Sequence, residues 1–253
     1  MTGRAGSGRG RGRGILLFKM GSTLSSLKAW KGDFEDWIIA GMGLTREEVT
    51  VVDVTLGGPL PPLDGHGAIV ITGSHAMVTE RRDWSERAAG WLREAVSRDL
   101  HVLGICYGHQ LLAHALGGKV GNNPKGREFG TVEVALEQRA GEDRLLGGLP
   151  SRIRVHVGHT QSVLRLPEGA VRLASNSWDG NQAFRIGSTA WGVQFHPEFD
   201  AEIMREYITH YRVLLSAEGQ DTDRILYGVS DTIFGVQRLH RFARVLAGIP
   251  ENA

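Results

Sequence analysis

The stretch His101-Val-Leu-Gly-Ile-Cys106 constrains this chain more than any other. A short apolar run leads into a cysteine, and a helical pattern from Gly108 to Leu116 starts just beyond it. Gly104 and Gly108 stand two residues before and two residues after Cys106. A strand that turns straight into a helix leaves no room for side chains where the two approach, and glycine removes them. The residue at the apex is lifted out of the sheet at its carboxyl edge, where open α/β sheets place ligands. The free N–H groups and dipole of the helix favour a thiolate there. A buried structural cysteine remains the competing reading at this point.

The neighbouring segments repeat the rhythm. Short apolar runs at Ile15 to Phe18, Val49 to Val54 and Ala68 to Ile71 read as strands. Residues 25–41 read as one helix, with Leu27, Trp30, Phe34, Trp37 and Ile38 spaced at three and four. Asp83 to Arg98 reads as another, with Trp84, Ala88, Trp91, Leu92 and Ala95 on one stripe. Strands alternating with helices predict an α/β fold with a central, mostly parallel sheet flanked by helices. After Gly117 the pattern turns strand-rich: Thr131 to Leu136, Arg152 to Val157, Val171 to Ala174, Gln182 to Ile186 and Ala190 to Phe195. No long helix separates these runs, which predicts an antiparallel extension of the sheet. The expected organisation is a Gly/Arg-rich disordered tail over 1–14, a domain over 15–217 and a helical extension over 218–253. The apolar stripe Leu226, Val229, Ile233, Val236, Leu239, Phe242, Val245 and Leu246 is expected to pack that extension on the domain. The tail reads as a plain extension in preference to an RNA-binding arm.

Composition closes off several classes. A net charge of +1 makes no case for a nucleic-acid or acidic-membrane surface. The chain has 1 cysteine, so an intrachain disulfide is impossible, and a reducing compartment is implied. No apolar run reaches the roughly 18 residues of a membrane span. Lys19 ends the first apolar run before it attains the ~7–15 residues of a signal-peptide core. The cytoplasm is the expected location. Neither a Walker loop nor a closely spaced metal-ligand set appears, so no cofactor and no metal are expected.

A thiolate nucleophile needs a proton acceptor that later protonates the leaving amine. Among 10 histidines, His196 is favoured because Gly192-Val-Gln-Phe-His-Pro-Glu ends a strand pattern. In extended chain, residues two apart share a side, so Glu198 can lie beside the His196 ring, with Pro197 stiffening the backbone between. A carboxylate there holds the tautomer and stabilises the imidazolium. A strand-end turn with a solvated Glu is the alternative.

Taken together, Gly-Ile-Cys-Tyr-Gly-His-Gln over 104–110 and Gly-Val-Gln-Phe-His-Pro-Glu over 192–198 resemble the class I glutamine amidotransferases. The resemblance covers roughly Ile15 to Tyr211 and is strongest to the glutaminase domain of GMP synthase and its stand-alone relatives. It implies a flavodoxin-like α/β fold. It also implies that Cys106, His196 and Glu198 form a catalytic triad that makes a γ-glutamyl thioester and releases ammonia. Backbone N–H groups at Ser74 and Tyr107 would form the oxyanion hole. Gly73, Gln110, Phe129, Gly130 and His159 would contact glutamine or a γ-glutamyl small molecule. The chain departs from the pattern in reading Gly158-His-Thr-Gln161 for Ser-His-Gly-Asp, and Gly73-Ser-His75 for Gly-Gly-Pro. Three readings follow. The chain is a glutaminase subunit with a synthase partner or a stand-alone amidotransferase, feeding an unknown acceptor; a γ-glutamyl peptidase; or an idle binding or regulatory protein. The intact triad argues against the last.

Overall fold

The computed structural model describes residues 14–248. The chain opens with β1 (Gly14–Lys19), α1 (Ser25–Lys31), α2 (Phe34–Gly41), β2 (Val49–Asp53), β3 (His66–Ile71), α3 (Asp83–Ser97), β4 (His101–Ile105) and α4 (Tyr107–Ala115). The strand-rich middle follows with β5 (Lys119–Asn122), β6 (Glu128–Leu136), β7 (Arg152–His159), β8 (Gln161–Arg165), β9 (Val171–Ser175), β10 (Ala183–Ile186) and β11 (Ala190–Val193). The chain then returns to helix in α5 (Ala201–Ala217), α6 (Thr222–Tyr227) and α7 (Ile233–Arg241).

Nine strands form one sheet in the order β2-β1-β3-β4-β11-β10-β9-β6-β7. The first five are mutually parallel. From β10 onward every pairing is antiparallel. The α/β class with its antiparallel extension is therefore as expected. The parallel strands are buried on both faces, so β1 and β3 carry unbroken apolar runs in place of alternation. One core, beneath α2 and α7, holds Ile15, Leu17, Val70, Leu103, Trp191 and Phe242. The core on the other face, beneath α3 and α4, holds Leu16, Phe18, Ile69, Val102 and Leu111. Because β3, β4 and β11 are parallel neighbours, the segments that follow them emerge side by side at one edge.

Several expectations need correction. The single helix over 25–41 is two helices, interrupted at Gly32 (φ 87°) and Asp33. The Asp33 carboxylate caps α2 and accepts hydrogen bonds from Thr23 N, Phe34 N and Lys19 Nζ. Trp30, expected on the buried stripe, is 62% exposed. The strands β5 and β8 were not anticipated; they pair only with each other. Gly14, assigned to the tail, is the first residue of β1; residues 1–13 lie outside the described residues. On the C-terminal stripe Val229, Leu239 and Phe242 are buried, but Ile233 and Val236 are exposed. The side chains of Val245 and Leu246 lie outside the described ones. Gly235 packs so closely on the His-Pro-Glu turn that a Cβ there would lie 2.6 Å from Pro197 O.

Candidate active site

Cys106 stands between β4 and α4 with φ 50° and ψ −98°, in a region that L-residues rarely adopt. The flanking glycines are required by contact. A Cβ at Gly104 would lie 2.4 Å from Gly108 O, and one at Gly108 would lie 2.5 Å from Ile71 O. Backbone, not a flexible side chain, occupies both places. Cys106 N donates to Val193 O at 2.8 Å, which ties the elbow to the end of β11. Three residues further along, His196 is buried. Its Nδ1 lies 2.7 Å from Glu198 Oε1, and its N donates to His156 O at 2.8 Å. The Phe199 ring stacks on the imidazole at 4.0 Å, and Phe34 stacks in turn on Phe199 at 6.3 Å. A Cβ at Gly73 would lie 3.1 Å from His196 Cε1, so glycine there admits the ring.

Electrostatics at the centre follow from these contacts. Burial disfavours a charged His196, but the Glu198 carboxylate and the Cys106 sulfur, charge and hydrogen bond together, outweigh it and hold the ring up at about 10. Its neighbours go the other way. Burial, then the His196 charge, pushes His156 down to about 4. The same two causes lower His75. One imidazolium is thus favoured beside the sulfur, and the surrounding histidines are kept neutral.

The centre opens into a cavity of about 120 Å³. Of the residues singled out in the sequence, Ser74, Cys106, Tyr107, Gln110, Phe129, His159 and His196 line it. Tyr107 opens α4, so its N–H has no acceptor within the helix. Its hydroxyl is anchored 2.6 Å from Ser85 Oγ, on the far side. Gln110 is buried and donates to Gln161 O at 2.7 Å and Gln194 Oε1 at 3.0 Å. His159 presents the cavity with wall and not with free polar atoms. Its Nδ1 donates to Gln161 O, and its Nε2 lies 2.9 Å from Glu128 Oε2. Gly130 stands apart from the cavity, with φ 117° and a Cβ position 2.9 Å from Ile225 Cγ2. Gln161, which replaces the expected carboxylate, donates to Thr79 Oγ1 at 2.6 Å and Asn122 Oδ1 at 3.1 Å.

Sequence reasoning missed Glu128, which gathers His159, Asn176 and Gln182 around one buried carboxylate. It also missed Phe34 and Phe199 as the ring stack behind His196, and Tyr207 and Tyr211 as cavity wall. Their only local signal was apolar or aromatic character, shared with every core residue. Among the described residues no group of three or more His, Cys, Asp or Glu is placed to hold a metal ion, and no helix is long and apolar enough to cross a membrane.

The fold is thus an α/β sheet, parallel in its first five strands, that carries a strained cysteine elbow close to a histidine–carboxylate pair. The chain belongs to the class-I glutamine amidotransferase family, whose sequence model matches residues 33–213. It is 34% identical over 206 residues to the glutamine-hydrolysing GMP synthase of Aeropyrum pernix, a match covering 81% of this chain and 36% of that protein. The chain thus spans about a third of the length of that relative. The γ-glutamyl peptidase 5 of Arabidopsis thaliana is 28% identical over 199 residues, 77% of this chain and 79% of the relative. Among solved structures, a glutamine amidotransferase from Thermotoga maritima superimposes with a TM-score of 0.74 at 22% identity, over 94% of this chain and 99% of that one.

Proposed function

We propose that Cys106 attacks the γ-carbonyl carbon of glutamine or of a γ-glutamyl compound. The observation that carries this reading is the strained elbow that sets Cys106 beside a His196 held protonated by Glu198. The thiolate forms a C–S bond, and the carbonyl oxygen gathers negative charge between the backbone N–H groups of Ser74 and Tyr107. As the C–N bond breaks, His196 gives its proton to the departing amine or ammonia. A water then attacks the γ-glutamyl thioester, His196 takes the water's proton, and glutamate leaves with the sulfur restored. Glu198 orients the imidazole and stabilises its charge throughout. Gln110 and Phe129 form the pocket for the glutamyl part. The ammonia goes to a synthase partner or to water.

A second reading, hydrolysis of γ-glutamyl peptides, is favoured by Gln161. Where a carboxylate would meet a free α-amino group, the chain has a neutral amide already engaged with Thr79 and Asn122. The test is ammonia release from L-glutamine beside amine release from γ-glutamyl dipeptides, with Cys106→Ala as control. Turnover of either substrate that vanishes in the variant is expected. Turnover that survives it would remove Cys106 from the mechanism.

A further inference from the structure

The strand β6 is paired along its whole length on one side only. It pairs with β7 from Glu128 to Ala135, but with β9 only at Ala135↔Ser175 and Leu136↔Ala174. Leu136 N donates across to Ser151 O, on the β7 side, while Glu137 N donates to Leu173 O, on the β9 side. Alternation along the strand therefore turns the backbone groups of Phe129, Thr131 and Glu133 away from β7. Along this side Phe129, Val132, Glu133 and Ala135 line an open groove of about 740 Å³.

The far wall of the groove is built. After β9 the chain swings out through residues 176–178 and is held off the strand edge. Asn123 Nδ2 donates to Trp178 O at 3.2 Å. Trp178 Nε1 donates to Gly126 O at 3.1 Å. Lys125 Nζ donates to Ser177 O. Asn176 Nδ2 donates to Glu128 Oε1 at 2.6 Å. Ile225 and Gln220 close one side, with Gln220 Nε2 bonded to Arg127 O at 2.8 Å. The groove adjoins the cavity over Cys106: Arg127 and Phe129 line both.

We propose that this groove binds the peptide portion of a γ-glutamyl peptide, the part that leaves as the amine, as an extended strand added to the free edge of β6. The inference rests on the reading of Cys106 as the nucleophile. A γ-glutamyl group held at Cys106 directs its leaving nitrogen out past Phe129, into a channel lined by unpaired backbone amides and carbonyls. An extended peptide is the ligand whose own N–H and C=O groups alternate at the same spacing, and pairing to a strand edge asks little of its side chains. From residue 129 to 134 the free edge runs about 16 Å at ~3.3 Å per residue, room for a peptide of roughly five residues. The Trp178 ring supplies an apolar wall for one of its side chains.

The experiment measures kcat/KM for L-glutamine, a γ-glutamyl dipeptide and a γ-glutamyl tetrapeptide, with the native chain, Trp178→Ala and Ser177→Trp. Ser177 is an exposed loop residue, so its replacement fills the groove without touching the core. The expected result is a tetrapeptide preferred over the dipeptide by at least tenfold. Both variants should lose most of that preference while glutamine turnover stays within twofold. A flat dependence on length, or variants that slow glutamine equally, would overturn the groove and leave the nucleophile assignment standing. Silence on all three substrates would sink the nucleophile reading instead. Calorimetric binding of the tetrapeptide to Cys106→Ala, lost in the Ser177→Trp double variant, then decides the groove by itself: binding supports it and its absence overturns it.

Discussion

Replacing Cys106 by alanine and by glycine separates the chemistry of the sulfur from the strain of the turn. At φ 50° and ψ −98°, a residue with a Cβ carries a cost of about 1–3 kcal/mol that glycine escapes. Both variants lose the thiol, so their difference isolates the backbone. Glycine sheds the strain but gives the unfolded chain extra freedom worth about 0.4–1 kcal/mol. The balance leaves Cys106→Gly more stable than Cys106→Ala by about 1 kcal/mol, or roughly 2–4 °C in Tm for a chain of this size. At an unstrained position the sign is the reverse, with glycine the weaker by about 0.5–1 kcal/mol. Thermal and urea unfolding of the two inactive proteins, followed by circular dichroism, reads the difference. An alanine variant as stable as the glycine variant, or more so, would refute the claim that the elbow stores strain.

The remaining predictions concern the triad, the buried histidines and the substituted loop. His196→Asn should be nearly as damaging to kcat as Cys106→Ala, because nucleophile and base act as a unit, and Glu198→Gln should be milder; a His196→Asn protein with near-native turnover would displace the base. His156 and His109 are both held near 4, by burial first. The unfolded chain takes up their protons from about pH 6.5 downward and the folded chain only near 4. Stability from these two is therefore fully present above pH 6.5 and lost as pH falls towards 4. His156→Gln should shrink that acid loss by about 2–3 kcal/mol in urea titrations at pH 7 and 4.5; an unchanged loss would contradict the assignment. Gln161→Asp should lower KM for free glutamine, and an unchanged or raised KM would count against a role for this position in meeting the α-amino group.

Much of the site was legible because its signals are local. Gly104, Cys106 and Gly108 lie within five consecutive residues. Their requirement is steric and short-range: a methyl at either glycine meets the backbone of the same turn or of the adjoining strand. His196 and Glu198 are two apart, and extended backbone puts them on one side without help from the rest of the fold. The break at Gly32-Asp33 was also local, a glycine at positive φ followed by an N-cap, but the continuous apolar stripe masked it.

What the sequence by itself determined, then, is the strand–elbow–helix turn, the histidine–carboxylate pair and the parallel half of the sheet. Each rests on steric or periodic constraints between residues a few positions apart. The tertiary structure decided what depends on partners far along the chain. It sets the order β3-β4-β11 that carries Cys106 and His196 to one edge. It gathers Glu128 with His159, Asn176 and Gln182, and it stacks Phe34 and Phe199 behind the imidazole. It also leaves most of one side of β6 unpaired. A strand's pattern records which face it buries, but hydrogen bonding along its edges is made by backbone groups common to all residues. Only the packed sheet shows which edge is left open.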